Sequence, residues 1–468
     1  MSSPDRRSHS RLPASPRARL IAAIATVAAA ALGALAPSAL AAAPYAPTRL
    51  VVGYAAPPST TARAAGAPAA SAAGSVASTR LLRLPAGVGL ATELKRLRSQ
   101  RGVRWAVPDY IAHTSGAPSP NDVGRAGGPP GGWRELQWNF AGEFGVHAPE
   151  AWSNVAADGA IGGRGVTVAV LDTGVAYANR GQFRRSPDFG RYQFVQGHDF
   201  VARNAYPNDR NGHGTFVAAT IAEATNNHYG LTGLAFGARI MPVRVLDTAG
   251  EGEASTIAEG VFFAVRHAAQ VINLSLEFSP GVTAADIPEL IEALRYAHRR
   301  GVLVVAAAGN EGHDAIAYPA HAPFVISVGA TTEHGCLASY SNDGAQLTLV
   351  APGGGTDATL PGDPNCRPEA PPGRDIFQVT FEGSSPRVFG IPSGYEGTSM
   401  ATPHVAATAA LVIASGVLGR HPTPAQLTAR LRATARKLGG GGDERLYGAG
   451  LLDAAAATAR GGPGAPAG

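Results

Sequence analysis

Three side chains in this sequence could act together on a carbonyl group: Asp172, His213 and Ser399. Asp172 ends the run V-A-V-L-D-T-G, His213 sits in N-G-H-G-T-F-V-A-A-T-I-A, and Ser399 sits in G-T-S-M-A-T-P-H-V-A. A hydroxyl is a weak nucleophile until a base takes its proton, and an imidazole base needs a carboxylate to fix its tautomer. Each residue alone also has a plain structural reading: a turn aspartate before Gly174, a packed histidine, a helix N-cap serine. Glycine on both sides of His213 favours an open helix start with room for a substrate. A serine at the head of a helix meets free backbone N–H groups and the positive dipole end, both suited to an oxyanion. The chemistry on offer is acyl transfer.

Chain order excludes two other hydrolytic layouts. D-T-G also occurs in aspartic proteases, which need two such carboxylates, and this chain has one copy. G-T-S-M-A approximates the G-x-S-x-G elbow of α/β-hydrolases, where an acid and then a histidine follow the serine. After Ser399 the first acidic residue is Asp443, and no His follows it. The order Asp…His…Ser remains.

These residues need a scaffold that brings distant segments together. Residues 166–171, 240–245, 271–276, 302–307 and 324–328 are apolar runs, as in strands buried on both faces. Helical stretches are expected between them, for example over 254–268 and 284–298. The alternation predicts an α/β fold, a doubly wound parallel sheet with helices on both faces. Ligands in such sheets bind beyond the carboxyl ends of the strands, and Asp172 stands at such an end. The stretch after Ser399 is apolar all round, which reads as a buried helix, with Pro403 expected in the tolerant first turn.

Composition fits a globular protein, at 45% hydrophobic and 16% charged residues. The net charge of +5 misleads. Of 39 Lys+Arg and 34 Asp+Glu, 14 and 3 fall within residues 1–113, leaving 25 and 31, a net of −6. The basic excess lies where targeting segments sit, so no nucleic-acid partner is inferred. Zinc spacings and C-x-x-C are absent around Cys336 and Cys366, the two cysteines. If the chain is exported, a single disulfide is expected; two unpaired thiols are the alternative.

The N-terminus carries the three parts of an export signal. Five arginines between Arg6 and Arg19 precede an apolar run from Leu20 to about Leu35, and small residues at 38–41 supply an A-x-A spacing. Signal cleavage is expected near residues 41–43, with a membrane anchor as the alternative, although the run is short for a span. Beyond it, strands are expected at 49–55, 80–84 and 103–112. Leu90, Leu94 and Leu97 lie on one face of a short helix. Residues 57–78 read as loose linker, and so do residues 115–132. A unit of about 65 residues with few large apolar groups would be marginal alone and would want a partner surface.

Together the three stretches resemble the subtilisin-like serine proteases. A-A-A-G-N-E-G at 306–312, V-I-N-L-S-L at 271–276 and Y-G-A-G-L-L-D at 447–453 also look like segments of that family, in its order. S-P-N-D at 119–122 and A-P-E-A-W at 148–152 are similar to its mature N-terminus. Residues 49–112 are similar to its inhibitory propeptide. The resemblance covers about residues 49–455.

It implies that Ser399 is the nucleophile, His213 the general base and Asp172 its orienter. Asn310 is implied as the side-chain donor to the oxyanion. It further implies a cleft whose walls pair with the substrate backbone, one formed by Gly250, Glu251 and Gly252 and the other by Ser275, Leu276 and Glu277. Ala317 is implied at the base of the primary pocket. The family needs no cofactor for catalysis. A structural Ca²⁺ is possible on a loop of Thr225, Asn227, Tyr229 and Leu231, with Asp122 and Asp188 as outlying carboxylates.

The implied organisation is a signal peptide (1–43), an inhibitory propeptide (44–113), a processing linker (114–136), the catalytic domain (137–460) and a tail (461–468). The expected product is a self-processing zymogen acting as a monomer on protein and peptide substrates. It would carry its own propeptide as inhibitor and have no membrane contact after signal cleavage. It would be extracellular, or periplasmic if the source is Gram-negative.

The sequence also departs from the family. Glu277 stands where Gly is usual, and with Glu251 and Glu253 it suggests a preference for basic residues upstream of the cut. Solvated loop charges are the alternative. Ala317 replaces a frequent Gly. Residues 353–396 form a long Gly/Pro-rich insertion containing Cys366. A binding protein with a dead site would share the fold but not require all of Asp172, His213, Ser399 and Asn310; an esterase or lipase would share the acyl-transfer chemistry, but its residue order is not the one found here.

Overall fold

The computed structural model describes residues 45–54, 79–84, 87–110, 119–439 and 443–461. The export signal, the 57–78 stretch and the tail beyond residue 461 lie outside the described residues.

The N-terminal unit is a three-stranded antiparallel sheet with one helix. Strands β1 (Tyr45–Tyr54), β2 (Thr79–Arg83) and β3 (Val103–Tyr110) pair in the order β2-β1-β3, and the helix is Leu90–Arg98. Leu94 and Leu97 from the helix meet Leu50 and Val52 of β1 and Ala106 of β3 in a small core. Few residues fill it, as the composition predicted.

The large unit is built on seven parallel strands. They are β4 (Thr167–Asp172), β5 (His198–Asp199), β6 (Arg239–Arg244), β7 (Val271–Leu274), β8 (Leu303–Ala307), β9 (Val325–Thr331) and β10 (Leu349–Pro352). Their order is β10-β9-β8-β7-β4-β6-β5. Side chains alternate between two cores. Val168, Val170, Leu303 and Val305 face one, while Ala169, Leu171, Val304 and Ala306 face the other. Helices His213–Ala222 and Thr398–Ser415 cover the first face. Helices Ala254–Arg266 and Pro288–Arg299 cover the second. Both faces are dry, which is why the strands read as unbroken apolar runs. The chain leaves β4 for the β5/β6 side of the sheet and then crosses β4 to reach β7, β8, β9 and β10, so the carboxyl end of β4 lies where the winding reverses and a crevice opens. Asp172 is its last residue. Among the described residues no helix is long and apolar enough to cross a membrane.

Three local expectations are corrected. The helix expected from 284 starts at Pro288, because proline suits the first helical position and keeps Ile287 (φ −130°, ψ 48°) out of the helical region. Pro403 is the sixth residue of helix Thr398–Ser415, beyond the first turn. Its missing N–H leaves the Ser399 carbonyl without its helical partner, and Ser275 Oγ donates to that carbonyl at 2.8 Å instead.

From Ser119 onward the expected loose linker is tied down. Asp122 Oδ2 and Oδ1 accept from the N–H groups of Asn226 and Asn227 at 3.1 Å each, Gly124 N–H donates to the Gly230 carbonyl, and Trp133 Nε1 donates to the Pro120 carbonyl. Glycines in the left-handed region at 124, 127 and 131 let the segment turn tightly enough to make these bonds.

The insertion is ordered too. It forms the hairpin β11 (Thr380–Phe381) and β12 (Phe389–Gly390) and is bridged by a Cys336–Cys366 disulfide. Thr380 Oγ1 donates to the Gly212 carbonyl at 2.6 Å, and Tyr395 stacks on Phe216.

Candidate active site

Asp172 is fully buried at the end of β4, and His213 is the first residue of its helix. The His213 ring places Nδ1 2.8 Å from Asp172 Oδ1 and 3.0 Å from Oδ2. Thr173 N–H donates to Asp172 Oδ1 at 2.7 Å, holding the carboxylate still. The approach of strand to helix needs glycine at 214: a Cβ there would lie 2.2 Å from the Gly174 carbonyl oxygen and 3.0 Å from Asp172 Cβ. Burial by itself would lower the pKa of His213. The charge and hydrogen bond of Asp172, with the charge of Asp209 adding, outweigh it, so the imidazole is held above its usual value.

Asp209 was missed by the sequence reading. Its carboxylate accepts from Thr173 Oγ1, from the N–H groups of Asn211, Gly212 and Thr215, and from Thr215 Oγ1. It therefore braces the turn that presents His213. The signal was available in D-R-N-G, where an Asp begins a turn by bonding N–H groups two or three residues on.

Ser399 is the second residue of its helix, after Gly397 (φ 144°). It lines one cleft of about 540 Å³ together with Thr173 and His213. In this resting geometry its Oγ donates to the Ser275 carbonyl at 3.2 Å. Six of the seven expected substrate-binding residues, Gly250, Glu251, Gly252, Ser275, Leu276 and Glu277, line that cleft. Ala317 does not, and its N–H donates to the Ala308 carbonyl at 2.8 Å.

Asn310 lies beside the cleft, fixed at both ends of its side chain. Its Oδ1 accepts from Thr398 N at 2.8 Å and Thr398 Oγ1 at 3.0 Å. Its Nδ2 donates to Glu277 Oε1 at 2.9 Å, and its backbone N–H donates to Glu277 Oε2 at 3.0 Å. Burial lifts the Glu277 carboxyl above the usual range; the Asn310 side-chain bond opposes this, the charge of Glu311 adds to it, and the Asn310 backbone bond opposes it again.

The residues expected around a cation also meet. Asp188 Oδ1 accepts from Asn227 Nδ2 at 2.6 Å and Oδ2 from Leu231 N at 2.9 Å, while Asn227 Oδ1 accepts from Tyr229 N. Thr225 sits one step away, its hydroxyl bonded to Thr232. Burial pushes Asp188 up to about 8, with the bonds from Asn227 and Leu231 opposing and the charge of Asp122 adding. Glu223 is buried beside them, raised by burial and then by the charge of Asp188, with Oε2 unpartnered. Among the described residues no cluster of three or more His, Cys, Asp or Glu is placed to hold a metal. A cation here would have to be shared with carbonyl and amide oxygens.

A buried carboxylate bonded to an imidazole, with a serine hydroxyl lining the same cleft of a parallel α/β sheet, is an arrangement suited to hydrolysis by a serine peptidase. The model of the subtilase family matches residues 163–450, and the chain belongs to that family. It is a serine-type endopeptidase. It is 39% identical over 300 residues to Subtilisin Savinase of Lederbergia lenta, which covers 63% of this chain and 91% of that protein. It is 33% identical over 358 residues to a thermophilic serine proteinase of Bacillus sp. (strain AK1), covering 76% of this chain and 73% of that one. Among solved structures, a protease from Pseudoalteromonas arctica superposes with a TM-score of 0.58 at 30% identity, over 73% of this chain and 99% of that chain.

Proposed function

We propose that Ser399, His213 and Asp172 form the catalytic triad of a secreted, self-processing endopeptidase. The observation that carries this is the double contact of His213 Nδ1 with both oxygens of buried Asp172, in a cleft that Ser399 also lines. Nδ1–H is thereby held toward the carboxylate, which leaves Nε2 as the basic nitrogen. Ser399 Oγ attacks the scissile carbonyl carbon as its proton passes to His213 Nε2. The tetrahedral oxyanion is met by Asn310 Nδ2 and the Ser399 backbone N–H. The imidazolium returns the proton to the leaving amine, and the C–N bond breaks. Water then repeats the sequence on the acyl-enzyme.

The substrate backbone lies between segments 250–252 and 275–277 as an added strand. A serine-directed phosphonate should label Ser399, read by mass spectrometry; correctly processed protein without label would point to a dead site.

Residues 1–43 are read as the export signal and 44–113 as the inhibitory propeptide. Self-cleavage is expected between about residues 112 and 138. A Ser399→Ala precursor should stay full length after signal removal. Its maturation in isolation would disprove self-processing.

A structural Ca²⁺ at the Asp188 loop is supported by the crowding of Asp122, Asp188 and Glu223, whose carboxyl groups burial and mutual repulsion hold toward the neutral form and a cation would let ionise. Asp122, Asp188, Thr225, Asn227, Tyr229 and Leu231 would hold it, with the Asn227 amide turned over to present its oxygen. Calcium at a hundred times its Kd would raise stability by about 2.7 kcal/mol. Identical thermal midpoints with calcium and with chelator would rule the ion out.

A further inference from the structure

We propose that Glu277 is a positioning residue for the oxyanion donor: its carboxylate fixes the Asn310 amide so that one Nδ2–H is left to face the cleft. The inference rests on the reading of Asn310 given above.

A primary amide turns easily about its last torsion, whose preference is broad and two-fold. An oxyanion donor must not turn, because donors already in place avoid reorganisation during the reaction. The Asn310 amide has two N–H donors and one carbonyl acceptor. Thr398 N and Oγ1 occupy the acceptor at 2.8 and 3.0 Å, and Glu277 Oε1 takes one donor at 2.9 Å. One donor remains. Glu277 Oε2 takes the Asn310 backbone N–H at 3.0 Å, so the same carboxylate grips both the side chain and the main chain of Asn310.

The path of Glu277 is built into the chain around it. A Cβ at Gly309 would lie 2.7 Å from Glu277 Oε2 and 2.1 Å from Asn342 Nδ2, and Gly309 has φ 117°. Glycine is therefore required for the carboxylate to reach Asn310. Glu277 belongs to the cleft wall that follows β7, whereas Asn310 belongs to the loop that follows β8. One side chain thus joins two elements that must keep a fixed distance. A carboxylate serving only to attract a cationic substrate would have no need of two N–H bonds to Asn310.

The test is a double-mutant cycle in the secreted enzyme, freed of residues 1–113: parent, Glu277→Ala, Asn310→Ala and the double variant. The substrate is an uncharged peptide with Leu at the upstream positions, so that attraction of a cation plays no part. Asn310→Ala should lower kcat by roughly 10²–10³. Glu277→Ala should lower kcat by roughly 10- to 100-fold with little change in KM. It should cost almost nothing further once Asn310 is gone. Glu277→Gln, which keeps the volume and one accepting oxygen, should fall between and covers the case in which the alanine variant does not fold.

Unchanged kcat in both Glu277 variants, with Asn310→Ala impaired, would overturn the inference and leave Asn310 in its role. Losses that multiply in the double variant would overturn it as well. An unimpaired Asn310→Ala enzyme would remove the underlying reading, and the positioning role with it.

Discussion

Ser275 and Ser399 exchange hydrogen bonds: Ser275 Oγ donates to the Ser399 carbonyl at 2.8 Å, and Ser399 Oγ donates to the Ser275 carbonyl at 3.2 Å. The first bond replaces the helical one that Pro403 cannot make. The second parks the hydroxyl against the cleft wall, and catalytic hydrogen bonds commonly tighten only when substrate is present. Ser275→Ala removes the donor and leaves a partly buried carbonyl unsatisfied. A loss of about 1–3 kcal/mol is expected, read as a lower denaturant midpoint with unchanged m-value. A midpoint equal to the parent's would mean that this carbonyl finds another partner.

The acid limb of activity should lie above the ordinary imidazole value of about 6.5. In the proposed mechanism His213 must be neutral to accept the Ser399 proton, and would be protonated and idle below its pKa. Asp172 raises that pKa against the effect of burial, so activity switches on at a higher pH. Asp172→Asn removes the raising charge and leaves burial to dominate. The limb in kcat/KM should then move to lower pH, while the rate itself falls by about 10⁴. A limb that stays in place would show that Asp172 does not set the protonation of His213.

Much of this arrangement was legible because each part has a local signature. Strands dry on both faces read as unbroken apolar runs, so the sheet could be assigned and Asp172 placed at the end of β4. Gly-flanked His213 and helix-leading Ser399 could be recognised in the same way. What escaped was contact at long range. Glu277 and Asn310 are 33 positions apart, and no spacing rule joins them. Glu277 therefore read only as an added cleft charge. The role of Ser275 depends on a hydrogen bond missing at Pro403, which becomes visible only when the two segments meet. The start at Pro288 was a local signal read too generously, since apolar periodicity ran past the residue that fixes the boundary.

Substrate preference should reflect the carboxylates of the cleft. Glu251 and Glu277 both line it, yet Glu277 already binds two N–H groups of Asn310, which leaves Glu251 the freer of the two to meet a cation. An exposed ion pair contributes about 0.2–1 kcal/mol, so peptides with Lys upstream of the cut should gain up to about fivefold in kcat/KM over those with Leu. Glu251→Gln should shrink that ratio, and added salt should shrink it in the parent. Equal cleavage of the two peptides by the parent would reduce both carboxylates to solvated loop charges as far as selectivity goes.

The disulfide should matter to the site as well as to stability. Cys336 is buried in the turn after β9, and Cys366 lies 30 positions on, inside the insertion that continues to Thr380 and its 2.6 Å bond to the Gly212 carbonyl. Closing a loop of this length restricts the unfolded chain, a contribution of about 3.6 kcal/mol in chain-entropy reasoning. A Cys336→Ser/Cys366→Ser variant should therefore melt on the order of 5 °C lower. Reducing agent should bring the parent to the same midpoint and leave the variant unchanged. Because the insertion also holds the residue before His213, the variant should lose activity at temperatures below its melting midpoint, as the insertion loosens first. Activity and melting that fall together would instead assign the bridge to global stability alone.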